Sequence, residues 1–278
     1  MNKLSDILEP LNTSGKPKTL AIGSTYPHTI DREYTADLRK IVKAIALEVK
    51  SKVLPELKEQ IKARDTRNDS EEERADALID VLNAMNGINN FVFTGESLAE
   101  KYASKTYLSN EGKITSAIEK STGIAIRLPL GDQTLANDWI ANNTLLIKDM
   151  QTEYLAKINK RISAGFTQGK TYQSIAKEIQ KETGMTWRRA KLISRNEIGN
   201  LNAQINQERN KELGITKATW VSVMDERTRG NPSGKYPDSK PSHWANNGKE
   251  FEWSKGLHGE LPGEPINCRC FGIAKVEY

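Results

Sequence analysis

The sequence predicts an α+β protein, with a mostly helical N-terminal region followed by a small β-containing C-terminal module. Up to Gly214, apolar residues recur at helical spacing in a background rich in lysine and glutamate. Beyond it come Gly, Pro, Trp and Asn, both cysteines, and strand-like runs bounded by turn residues. No repeat period is visible, which excludes a solenoid. These observations divide the chain into an extended arm (1–30), a helical domain (31–214) and the module (215–278).

The arm is read from Pro10, Pro17 and Pro27 among Gly, Ser and Thr. Asp31 then offers an N-cap to a helix carrying Tyr34, Leu38, Ile41, Val42, Ile45 and Val49, with Pro55 as a kink or break. Ser70-Glu71-Glu72-Glu73 has the form of a capping box before Leu78, Val81, Leu82 and Met85. Phe91-Val92-Phe93-Thr94-Gly95 interrupts that pattern. Residues 111–131 read as a connector in which Ile124, Ile126 and Leu128 alternate, ending in Pro129 and Gly131. The clearest helix follows Asp132, its face marked by Leu135, Trp139, Leu146, Met150, Tyr154, Ile158 and Ile162. Thr171 caps a short helix closed by Gly184. Thr186 caps a last one that runs to Gly214, a suitable residue just past a helix end. In the module, Ala218–Val223, Lys249–Trp253 and Cys268–Val276 read as strands, separated by long loops.

Composition limits the function. The net charge of +5 is mild for 278 residues and does not suggest a dedicated nucleic-acid binder. Two cysteines exclude a disulfide framework. No apolar run reaches the roughly 18 residues of a membrane span. Residues Met1–Asp6 lack the apolar core of a secretory signal, which predicts synthesis in the cytoplasm. Phosphate-binding glycine loops, H-E-x-x-H and G-x-S-x-G are missing, as is any evident acid/base pair of carboxylates.

Four constellations remain. Asp225-Glu226-Arg227-Thr228-Arg229 would place Asp225, Arg227 and Arg229 on one side if extended. His243 precedes Asn247-Gly248, a strong turn signal. In a strand, Cys268 and Cys270 would share a face, with Arg269 opposite. They are either two small buried side chains or half of a zinc site completed by His243 and by Asp225 or His258. The single residue between the cysteines is shorter than usual zinc spacing. Finally, Glu197 falls by spacing within the stripe Ala190, Ile193, Leu201 and Ile205. A carboxylate there needs pairing, which predicts a clasp of Arg195 and Glu197 with Arg227 and Arg229. On the same helix, Arg188, Lys191 and Arg195 form a basic row that is either a solvated face or, through Arg188 and Lys191, a contact for DNA phosphates.

Trp220-Val-Ser-Val-Met-Asp225-Glu-Arg227-Thr-Arg229, His243 with Gly248-Lys249-x-Phe251, and Pro262-Gly263-Glu264-Pro265-Ile-Asn267-Cys268-Arg269-Cys270 follow one another in an order and spacing that resembles the phage Mu protein F-like head morphogenesis family. Asn-Cys-Arg-Cys is the most specific element. Upstream, Trp139–Ile147, Gln168-Gly169-Lys170-Thr171 and Arg195-Asn196-Glu197 extend the resemblance more weakly, to about residues 135–276. The thirteen residues between Arg229 and His243 depart from the family's shorter spacing, so the loop must fold back if Asp225 and His243 share a site.

The resemblance implies a minor structural protein of a tailed-phage head rather than an enzyme. It would act in procapsid assembly, DNA packaging or ejection, from the interior of the virion head near the portal. The implied partners are the portal protein and major capsid protein, with scaffolding protein and packaged DNA as further ones, and no membrane. The competing expectations are a metal-dependent nuclease or toxin-like enzyme using Asp225, His243 and the cysteines, and a DNA-binding packaging factor.

Overall fold

The computed structural model describes residues 4–12, 14–66, 71–86, 88, 93–128 and 133–278. Its elements, in chain order, are α1 (Leu4–Leu8), a 3₁₀ turn (Glu9–Leu11), β1 (Thr19–Ile22), α2 (His28–Glu48), a π-helical stretch (Val49–Val53), α3 (Leu54–Thr66), α4 (Glu71–Asn86), α5 (Phe93–Thr122), α6 (Gln133–Thr167), α7 (Tyr172–Glu212), β2 (Lys217–Val221), α8 (His243–Asn246), β3 (Glu250–Glu252) and β4 (Phe271–Glu277). The residues group into two compact units. One comprises Met1–Asp31, Lys101–Trp139 and Arg195–Tyr278, the other Arg32–Glu100 and Ile140–Ser194.

The second unit is helical and its cores are apolar stripes. Tyr34, Leu38, Ile41, Val42, Ile45 and Val49 are buried along α2 and its continuation, and Ile147, Met150, Tyr154, Ile158 and Ile162 along α6. Steps of three and four put each set on one face. The helix crosses Pro55 because the π stretch precedes it: Leu54 N–H reaches the Val49 carbonyl. That wider turn makes room for a residue with no N–H to give. The hydroxyl of Tyr34 donates to Asn143 Oδ1 at 3.0 Å.

Several boundaries differ from expectation. Helix α2 opens at His28, so Asp31 lies in its first turn rather than at its cap. Residues 111–122 belong to α5, which buries Ile114 and Ile118 and ends at Gly123 with φ of 73°. Thr171 does cap α7, accepting from Ser174 N–H at 3.3 Å. However, α7 runs unbroken through Gly184, and the Thr186 hydroxyl donates back to the Glu182 carbonyl instead of capping a new helix. At its far end, Gly214 takes φ of 72° while Gly214 and Ile215 N–H groups close on Lys211 and Asn210 carbonyls, a Schellman ending. The readings resting on Ser70, on Phe91 and Val92, and on Pro129, Gly131 and Asp132 lie outside the described residues.

The first unit holds a four-stranded antiparallel sheet in the order β1-β4-β2-β3. The segment expected to be an extended arm supplies part of it. Strand β1 pairs with β4, Thr19 opposite Glu277 and Ile22 opposite Ala274. Leu4 and Leu8 of α1 are buried in the same core as Trp220, Phe251, Trp253, Ala274 and Val276. The signal was present in the alternation of Leu20 and Ile22, but three prolines obscured it.

Helices α5 and α7 are joined by buried amides. Asn110 Nδ2 donates to Asn202 Oδ1 at 3.2 Å and Asn206 Oδ1 at 3.0 Å. The Ser24 hydroxyl donates to Asn202 Oδ1, and Asn206 Nδ2 returns a bond to the Ser24 carbonyl. All four residues are buried, where an amide group gains most from a partner inside the protein. The network therefore fixes how these elements register.

Candidate functional site

The site is built from loops around β2. After Val221, Ser222 receives a hydrogen bond from Trp220 Nε1 at 3.1 Å and donates to the His243 carbonyl. Its own N–H is taken by Asn247 Oδ1 at 2.9 Å. His243 opens the single-turn α8, capped by Ser242, whose side chain accepts from Ala245 N–H. The ring lies edge-on to Trp220, with centroids 5.2 Å apart.

The long loop from Gly230 to Ser242 does fold back. Trp244 N–H donates to the Arg229 carbonyl at 3.0 Å, Gly230 N–H to Tyr236, and Lys235 N–H to Glu226. Gly230 is required at the closure. Its φ is 73°, and a Cβ there would stand 2.9 Å from Ser242 Cα.

Cys268 and Cys270 precede β4 rather than lying within it. They converge all the same: His243 Nδ1 is 3.4 Å from Cys268 Sγ and 3.6 Å from Cys270 Sγ. The three ligand atoms lie within 4.8 Å of one another, and all three residues are buried. On the opposite side of the ring, Nε2 is 3.0 Å from Glu260 Oε2. Sequence reasoning missed Glu260. Only the Leu257–Glu260 bridge, which folds residues 257–260 back on themselves, brings it to the histidine.

The electrostatics follow from these contacts. A hydrogen bond from Cys268, helped by His243 and Ser222, outweighs burial and draws the Cys270 thiol down to about 5. Cys268 moves well upward, first through that shared hydrogen bond and then through burial. Burial opposes charge on His243, but its bonds to Cys270 and Glu260 raise its pKa.

Asp225 is turned away from this cluster. Both of its carboxylate oxygens accept from Arg269 Nη2 at 2.8 Å. The chain does not extend there as expected. Oδ1 accepts from Arg227 N–H at 3.0 Å and the Asp225 carbonyl from Thr228 N–H, forming a tight turn. Asp225 thus secures the residue between the cysteines instead of joining them. His258 also lies outside the thiol group.

The predicted clasp is differently made. Arg229 Nη2 donates to the Ile266 carbonyl at 2.9 Å, and Arg227 stands 3.7 Å from Glu226. Glu197 Oε1 accepts from Asn196 Nδ2 at 2.9 Å, while the Arg195 carbonyl accepts from the Tyr26 hydroxyl. The apolar stripe passes through Ile198, not Glu197. The residue that joins α7 to the cysteine loop is Asn196, whose Oδ1 accepts from Asn267 N–H at 3.1 Å. Asn267 needs that anchor, since it holds φ of 58°. Asn200, one turn on, would donate to the Gly263 and Glu264 carbonyls at 2.8 and 2.9 Å with its side-chain amide turned so that the nitrogen faces them. Arg188 and Lys191 are exposed on α7, next to exposed Trp187 and Leu192.

No described helix is long and apolar enough to cross a membrane. Residues 156–273 match the family described as Phage Mu protein F like protein. A Haemophilus influenzae protein named only as uncharacterized is 28% identical over 187 residues, 66% of this chain and 39% of that protein. An NAD(+)–arginine ADP-ribosyltransferase of Enterococcus faecalis is 27% identical over 228 residues, 74% of this chain and 44% of that protein. The chain therefore spans less than half the length of these relatives. No solved structure matches it at a significant level. The matched segment contains α7 from its start, the Asp225–Arg269 turn, His243 and both cysteines, and over residues 156–273 this chain is similar to the phage Mu protein F-like family.

Proposed function

We propose that the chain is a minor structural protein of a tailed-phage head, positioned inside the virion near the portal and used in procapsid assembly, DNA packaging or ejection. The observation that carries this reading is the family match over residues 156–273. The burial of the chemically distinctive groups supports it. His243, Cys268 and Cys270 are all enclosed, and a nuclease needs a metal position that substrate can reach. Portal and major capsid proteins are the proposed partners, with scaffolding protein and DNA as further ones. The exposed Arg188 and Lys191 are the proposed DNA contacts, through phosphates.

The transferase name of one relative keeps an enzymatic reading in view. That relative has more than half its length outside the aligned region. The proposal is that the shared region is architectural and any transfer chemistry lies elsewhere in such proteins.

Quantitative mass spectrometry of purified particles, before and after osmotic release of DNA, tests the reading. A few copies per particle, protected from protease while heads are intact, is the expected result. Absence from particles would overturn it. Cleavage of plasmid DNA that is lost in His243→Ala would then support the nuclease, and consumption of NAD with an arginine acceptor the transferase.

A further inference from the structure

We propose that His243 Nδ1, Cys268 Sγ and Cys270 Sγ hold one zinc ion in a structural site, with Glu260 orienting the imidazole from behind. This site is independent of the assembly role. Its case rests on distance, tautomer and charge.

Zinc bonds of ~2.3 Å to sulfur and ~2.0 Å to nitrogen, at the tetrahedral angle, set S···N at about 3.5 Å. The two separations here are 3.4 and 3.6 Å. Three donors from two distant loops are therefore already spaced as ligands of one ion. Glu260 Oε2 lies 3.0 Å from Nε2 and can accept a proton there, so that Nδ1, which faces both sulfurs, is the nitrogen left to bind the ion. A carboxylate behind a ligating imidazole is the usual supporting contact of such sites.

Charge balance also fits burial. Two thiolates, a neutral imidazole and a divalent cation sum to zero, so nothing uncompensated is enclosed. Binding requires both sulfurs as thiolates and the imidazole neutral, and the protons these groups held are released to solvent. The fourth ligand is an oxygen, from solvent or from Ser222, whose hydroxyl lies 3.6 Å from Cys270 Sγ. A disulfide is a poor alternative, because one intervening residue closes a strained ring. The arrangement also explains Asp225: its bond to Arg269 holds the middle residue of Cys-Arg-Cys outward, so that both sulfurs turn in.

The test is elemental analysis of the full chain purified without chelators and with thiols reduced. The expected content is about one zinc per chain, with zinc-edge X-ray absorption showing two sulfur neighbours and one imidazole. Cys268→Ser and Cys270→Ser should each lose the metal, while Asp225→Asn should keep it. Glu260→Gln should retain every ligand but bind zinc roughly 10- to 100-fold more weakly, measured by chelator competition. If the cysteine variants do not fold, the wild-type content and Glu260→Gln decide. Wild-type protein with less than one zinc per several chains and both thiols open to modification would overturn the proposal. So would full zinc content in a Cys268→Ser, Cys270→Ser double variant.

Discussion

The helical unit and the C-terminal module of this chain are stabilised by different parts of the polypeptide. In the helical unit, backbone groups satisfy one another within α2, α6 and the first half of α7. Side chains there need only supply an apolar face, such as Met150, Tyr154, Ile158 and Ile162. In the module, strands are short and loops are long, so side chains do the work of the ladder. Asn247 takes the Ser222 N–H, Asp225 the Arg227 N–H, and Asn196 the Asn267 N–H. The first arrangement tolerates exchange of one apolar group for another. The second depends on individual polar atoms, each with a particular partner.

The largest expected effect lies in the module. Trp220 is fully buried and touches His243 and Phe251 edge-on. Trp220→Ala should cost about 3–5 kcal/mol, read as loss of cooperative thermal unfolding or a large fall in the denaturant midpoint. In the helical unit, Ile158→Ala should cost about 2–5 kcal/mol, but Ile158→Val only about 1 kcal/mol. If Ile158→Val were as damaging as Ile158→Ala, the helical core would be as exacting as the module and the contrast would fail.

A matched pair of hydroxyl deletions sharpens the comparison. Ser222→Ala removes the acceptor of Trp220 Nε1 and the donor to the His243 carbonyl. Leaving such buried groups unmatched costs about 1–3 kcal/mol. Among the described residues, Thr144 donates to the Ile140 carbonyl one turn back, so Thr144→Ala should change stability by less than about 0.5 kcal/mol, helped by alanine's helix propensity. Equal losses in the two variants, measured by urea unfolding, would remove the distinction.

The same contrast explains what was legible in the sequence. Helices α2 and α6 declare themselves by periodic burial, and the Thr171 cap and Gly214 ending are local signals. The class of fold followed from these and from strand-like Trp220 and Phe251. Long-range pairing was not legible. Nothing local says that Leu20 and Ile22 align with Val276 and Ala274. Nor does spacing reveal that Asn110 donates to Asn202 and Asn206 across α5 and α7, since asparagine in a helix reads as surface. At the site, His243, Cys268 and Cys270 stood out because few residue types have their chemistry. Asp225 stood out for the same reason, yet its partner is Arg269. A carboxylate's choice between a neighbouring guanidinium and a thiol cluster is set by loop geometry, which one-dimensional spacing does not carry. Glu260 and Asn196 were hidden because glutamate and asparagine are common on surfaces.

The smallest predicted effect concerns the Asp225–Arg269 pair. Burial opposes the Asp225 charge, but the Arg269 bonds, the Arg227 N–H and the Thr228 hydroxyl together hold its carboxyl below the ordinary value of 3.8. A depressed carboxylate contributes stability that is complete above the unfolded value and is lost as pH falls through the lower folded one. The side chain is 36% exposed, so water screens the pair and its worth should stay below about 1 kcal/mol. Asp225→Asn isolates this term, because an amide oxygen still accepts from Arg227 N–H while the charge is gone. The stability gap between wild type and Asp225→Asn should therefore be constant from neutral pH down to about 4 and close below it. A gap that stays open well below that range would assign the turn's strength to geometry alone. In that case even this charged contact would behave like the neutral side-chain bonds that hold the rest of the module.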